Sequence, residues 1–106
     1  MTLHDVARLG DLVHGTPTRV VVDGTAIALV LVAETVFAVD DRCSHGDVSL
    51  SEGEVEGCLI ECWLHGSQFD LRTGEPTCLP ATEPIATFST AVEGTGSDAR
   101  VIVNVD

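Results

Sequence analysis

Residues 18–33 read TRVVVDGTAIALVLVA. Thr18 to Val22 and Thr25 to Ala33 are rich in β-branched side chains, which suit a pleated, half-buried surface better than a helix. Between them lies Asp23-Gly24, a two-residue hairpin signal. The tight turn that matches strand twist needs positive φ, and glycine adopts it without steric cost. The segment is therefore predicted to be two antiparallel strands. Ala26–Ala33, eight residues, is the longest uninterrupted apolar run in the chain and is too short to span a bilayer.

Outward from this hairpin the pattern repeats. Thr35 to Val39 is predicted as a third strand, ended by Asp40-Asp41. Val55 to Ile60 reads as a short hairpin bent around Gly57, and Gln68 to Leu71 as a strand that turns at Thr73-Gly74-Glu75-Pro76. Pro84 to Val92 and Arg100 to Val105 read as two strands joined by Glu93-Gly94-Thr95-Gly96. No window of helical length sustains a 3.6-residue apolar period, and Leu3 to Leu12 is expected to hold a turn. The expected fold is all-β, a small antiparallel sandwich or barrel. The 106 residues are expected to form one domain, 1–106.

Composition narrows the function. Five Arg, no Lys and seventeen acidic residues give a net charge of −12. Phosphate neutralisation by cations is the source of nucleic-acid affinity, so a nucleic-acid partner is not expected. An anionic membrane would repel the chain as well. A hydrophobic content of 44% is that of a folded protein and not of an acidic tail. Met1 to Gly10 carries Asp5 and Arg8 where a signal peptide needs an apolar stretch, so a cytoplasmic location is expected. The high charge on a small chain favours a monomer.

The cysteines are Cys43, Cys58, Cys62 and Cys78, and in a reducing compartment they are better suited to metal coordination than to disulfides. All four lie in a part of the chain, about 41–80, that is poor in long strands and is expected to be an inserted subdomain whose loops carry the chemistry. Two pairs stand out: Cys43-Ser44-His45 and Cys62-Trp63-Leu64-His65, with sixteen residues between them. Two such loops supply two sulfurs and two nitrogens. The set suits one tetrahedral zinc. It also suits a two-iron cluster with both thiolates on one iron and both imidazoles on the other. A zinc knuckle usually takes its cysteines as a pair a few residues apart, whereas here each loop mixes one Cys with one His. Mixed loops favour the dinuclear centre, each loop giving one ligand to each iron.

At these residues the sequence resembles the Rieske ferredoxin family, whose pattern is Cys-x-His, fifteen to seventeen residues, then Cys-x2-His. The flanks agree: CSHGDVSLSEGEVEG over 43–57 and CLIECWLHGSQFDLRTGEP over 58–76. The resemblance extends over roughly Val36 to Pro84 and implies a Rieske fold with two cluster-binding loops. It further implies one [2Fe–2S] cluster per chain, held by Cys43, His45, Cys62 and His65. The implied role is that of a soluble one-electron carrier, not an enzyme. It would take electrons from an NAD(P)H-dependent flavoprotein ferredoxin reductase and pass them to a Rieske-type terminal oxygenase that acts on an aromatic ring. The sequence is also similar to actinobacterial Rieske ferredoxins found beside iron–sulfur assembly genes.

High-potential members carry an extra cysteine in each loop, at the positions of Val48 and Leu64 here. The bridging disulfide is thus not expected. They also place a Ser and a Tyr after the second pair; this chain keeps Ser67 but has Phe69. Fewer donors to sulfur, in an acidic protein, imply a potential near the bottom of the Rieske range, about −150 mV. Trp63 is expected as a hydrophobic lid, and Gly46 and Gly66 as turn residues that let backbone amides approach the cluster. Cys58 and Cys78 match no ligand position and read as small apolar residues. His4 and His14 read as exposed polar surface. Two further readings stay open: a zinc-stabilised interaction module built on the same four residues, and a small subunit of an assimilatory reductase.

Overall fold

The computed structural model describes residues 2–44, 48–64, 66–79 and 81–105. Among them nine strands form two antiparallel sheets. The larger is built from β1 (Thr2–Arg8), β2 (Thr18–Val22), β3 (Thr25–Val32), β4 (Thr35–Asp40), β8 (Thr87–Glu93) and β9 (Arg100–Val105), in the order β1-β9-β8-β4-β3-β2. The smaller joins β5 (Glu54–Glu56), β6 (Leu59–Glu61) and β7 (Gln68–Asp70) in sequence order. The large sheet curls until its outer strands approach: His4 on β1 lies 3.4 Å from the Asp23 carboxylate at the β2–β3 turn. The result is close to a closed barrel, as the all-β expectation required.

The β2–β3 turn is the one the Asp23-Gly24 pair predicts, with φ of 49° and 81°. The next connection departs from expectation. Ala33, read as the end of β3, lies in the two-residue turn before β4 at φ 55°, a left-handed conformation that a side chain disfavours. Its N–H is held there by His14 Nε2 at 2.6 Å, and Gly15 N–H bonds Leu31 O beside it. His14 is exposed, as expected, but it has a structural partner. His4 departs further: its Nε2 is buried, facing Asp23 without hydrogen-bond geometry.

Strand β3 explains how the two sheets share one molecule. Ile27 and Leu29 point into the barrel, where they pack with Val36, Ala38, Val101 and Val103. Their neighbours Ala28 and Val30 point the other way, onto Val39, Leu50, Ile60, Phe69 and Leu71. Successive side chains on a strand alternate faces, so burial on both faces produces an unbroken apolar run instead of alternation.

Leu3–Leu12 holds the turn read for it, a 3-10 turn at Leu9–Asp11, and before that turn a strand the sequence reading missed, β1, paired to β9 along its length. A register shift between Asp5 and Ala7 breaks the two-residue period, which hides the strand from a pattern search. Strand β8 begins at Thr87 and not Pro84. Before it, Ile85 N–H bonds Gly74 O, tying the segment to the small-sheet side.

Candidate metal centre

The first loop leaves β4 and ends in a 3-10 turn at Leu50–Glu52; the second joins β6 to β7. Cys43 opens the first and Cys62 the second, and each is only 2% exposed. The two loops are closed in the same way. Cys43 N–H donates to Val48 O at 3.1 Å, and Cys62 N–H donates to Ser67 O at 2.7 Å, in both cases to the carbonyl five residues on. Gly66 N–H returns to Cys62 O at 3.0 Å, and Gly66 adopts φ 77°, so the turn role read for it holds. Both cysteines belong to one buried cluster with Leu50, Ile60 and Phe69. His45, Gly46, Asp47 and His65 lie outside the described residues, as does Pro80. Each histidine follows its cysteine by two or three residues, within a loop pinned at both ends.

This donor set fits a two-iron cluster. The two sulfurs are withdrawn from water into one apolar cluster, and the sequence of each loop offers one soft and one borderline donor. Ser67 is fully buried, and its Oγ accepts the Ala81 N–H at 3.1 Å, which leaves its own proton available to donate. Phe69, on β7 opposite Ile60, is fully buried and offers no hydroxyl.

Trp63, expected as a lid, is 53% exposed, and Leu64 beside it is exposed too. Its ring therefore stands at the surface of this end of the molecule. Cys78 is exposed, not a buried apolar residue; its thiol donates to Gly66 O at 3.6 Å. Cys58 is half-buried and is not joined to Cys78.

The sequence reading missed the residues beneath the first loop. Asp41, taken only as a strand terminator, is buried. Its Oδ1 accepts Ser51 N–H at 2.6 Å, and its Oδ2 accepts Ser51 Oγ–H at 2.6 Å and Arg19 Nη1 at 3.1 Å. Arg19 Nη1 also donates to Ser49 Oγ at 2.8 Å. Beside it, burial raises the Asp40 carboxyl above its usual value, an effect Arg42 opposes and Asp41 reinforces. At the far end of β7, hydrogen bonds from the Arg72 side chain and amide hold the Asp70 carboxyl below its usual value. The signal for the Asp41 site was an acidic pair set directly before a ligand loop.

The family model that describes the Rieske [2Fe-2S] domain matches residues 2–89. The chain belongs to that family. The Rieske chain is 49% identical, over 69 residues, to the 3-phenylpropionate/cinnamic acid dioxygenase ferredoxin subunit of Shigella flexneri. That match takes in 64% of the chain and spans 65% of the relative's length. In structure it is similar to the ferredoxin of carbazole 1,9a-dioxygenase from Nocardioides aromaticivorans IC177, with a TM-score of 0.90, 36% identity and 97% of each chain covered. It is also similar to a chain in the complex of reduced oxygenase and oxidized ferredoxin of carbazole 1,9a-dioxygenase, with a TM-score of 0.83 and 36% identity over 95% of this chain and 91% of that one. Among the described residues, no helix is long and apolar enough to cross a membrane.

Proposed function

We propose that this Rieske protein is a cytoplasmic one-electron carrier with one [2Fe–2S] cluster per chain. Cys43 and Cys62 would hold one iron, and His45 and His65 the other. The observation that carries this reading is the pair of buried cysteines, each opening a loop closed by the same amide-to-carbonyl bond. When bound, the cluster would supply a reversible one-electron couple. The chain's own part is to keep water from the two sulfurs, to donate from Ser67, and to carry the two histidines on the loops that Cys43 and Cys62 open. A centre with all its ligand positions filled by protein and sulfide has no open site for a substrate, so the chain serves chemistry done elsewhere.

The partners on this reading are a flavoprotein ferredoxin reductase, fed by NAD(P)H, and a Rieske-type terminal oxygenase. The second is supported by relatives that are ferredoxin subunits of aromatic-ring dioxygenases and by the structure of a related ferredoxin with its oxygenase. The reading takes residues 1–106 as one domain with a cluster-binding part over about 41–80. The shared core supports this, since Ala28, Val30 and Val39 of the barrel pack on Ile60 and Phe69 of the small sheet.

The test is metal content. Purified aerobically, the protein is expected to be red-brown with about two irons and two acid-labile sulfides per chain. Cys43→Ala, His45→Ala, Cys62→Ala or His65→Ala should abolish the colour, while Cys58→Ala and Cys78→Ala should keep it. A colourless protein with one stoichiometric zinc overturns the reading in favour of an interaction module.

A further inference from the structure

The two loops are not held alike. The second is flanked by a ladder: Glu61 on β6 pairs with Gln68 on β7, directly outside the Cys62–Ser67 closure. The first runs between a strand of the large sheet and a 3-10 turn, elements with no ladder between them. Where the ladder would stand, there is instead a side chain. Asp41 lies two residues before Cys43, and its carboxylate holds Ser51, three residues after Val48. Its own amide donates to Ala26 O on β3 at 3.0 Å, which fixes the incoming stem to the barrel. Arg19, on β2, closes the arrangement by reaching both Asp41 and Ser49. Leu50, fully buried between the two serines, anchors the same turn in the cluster that contains Cys43 and Cys62.

We propose that Asp41, gripped by Arg19 and Ser51, is the positioning residue of the first cluster loop, an inference that rests on the ligand assignment above. The physical reason is the cost of an unpaired buried charge. The Asp41 side chain has no solvent exposure, whereas Arg19 is 49% exposed. A carboxylate so placed is tolerated only while its donors are in contact, and losing one leaves a penalty far larger than the bond itself. The stems of the first loop therefore cannot drift apart gradually. They stay at the spacing set by Ser51 and Arg19, which holds Cys43 in register with the second loop. Outer groups that orient ligands in this way tune both retention and electronic structure.

The experiment compares loaded wild type with Asp41→Asn, Ser51→Ala, Arg19→Gln and Arg19→Lys. Three properties are read: the rate at which a strong chelator bleaches the visible spectrum, the EPR g-values after reduction, and the melting temperature. Asp41→Asn should bleach at least about tenfold faster than wild type, with shifted g-values. Ser51→Ala should shift in the same direction. Arg19→Gln should do so too, and Arg19→Lys, which keeps the cation, should recover part of the loss. Val101→Ala, in the barrel core away from the loops, is the control for stability alone. If Asp41→Asn does not fold, Arg19→Gln, altered at a half-exposed side chain, carries the test. Variants with unshifted g-values that bleach no faster than Val101→Ala, at equal loss of melting temperature, overturn the role of Asp41. A wild-type chain that takes up no iron overturns the ligand assignment itself, before any variant is compared.

Discussion

Glu54 on β5 stands directly opposite Glu61 on β6, so two carboxylates face each other across an antiparallel pair of the small sheet. Like charges so placed destabilise a sheet by about 0.2 to 1 kcal/mol. Glu52 and Glu56 are exposed beside them. In a chain of net charge −12 this acidic surface would steer association with a partner of basic surface through complementary fields.

Electron transfer with the reductase is accordingly expected to slow as ionic strength rises past about 0.1 M, where the Debye length falls below about 10 Å. Glu54→Lys with Glu56→Lys should slow transfer at low salt and leave the cluster spectrum unchanged. Glu54→Lys should at the same time raise the melting temperature, since it replaces a repulsive pair with an attractive one. Rates indifferent to salt and to both reversals would show that the acidic surface serves solubility alone.

Ser67 and Phe69 set the second prediction. Ser67→Ala removes a buried donor beside the second loop and should lower the reduction potential, while Phe69→Tyr adds a hydroxyl and should raise it. Voltammetry showing no shift in either variant would remove the hydrogen-bond account of a low potential.

Asp40 gives a pH dependence. Its folded-state pKa lies above the usual 3.8, so ionisation costs the folded state stability as pH rises from about 3.8 through the folded value. Asp40→Asn should therefore melt higher than wild type at neutral pH, and the difference should vanish below about pH 3.8, where both side chains are neutral. Thermal melts across that range check the sign.

Two connections are expected to be stiff. Gly74 has φ 80°, and a Cβ there would run into the carbonyl oxygen of Ile85. Gly74→Ala should cost about 2 to 4 kcal/mol by chemical denaturation. His14→Ala removes the acceptor that holds the Ala33 turn and should cost about 1 kcal/mol.

The sequence by itself determined those features that depend on neighbours along the chain. The β2–β3 hairpin was legible because Asp23-Gly24 and the residues flanking it act within a few positions of each other. The loops opened by Cys43 and Cys62 were legible because ligand spacing is itself a local property. Tertiary structure decided what depends on distant contacts. β1 became a strand because β9 supplies its hydrogen bonds across the whole length of the chain, despite a bulge that breaks its pattern. Whether Trp63 and Cys78 are covered or exposed depended on which segments pack over them. Asp41 looked like a strand-ending acid. Its role came from Arg19, 22 residues earlier, and Ser51, ten residues later, which only the folded chain brings to one buried carboxylate. A hydrogen-bonded charge leaves no periodic trace in a sequence, whereas alternation, turn chemistry and ligand spacing do.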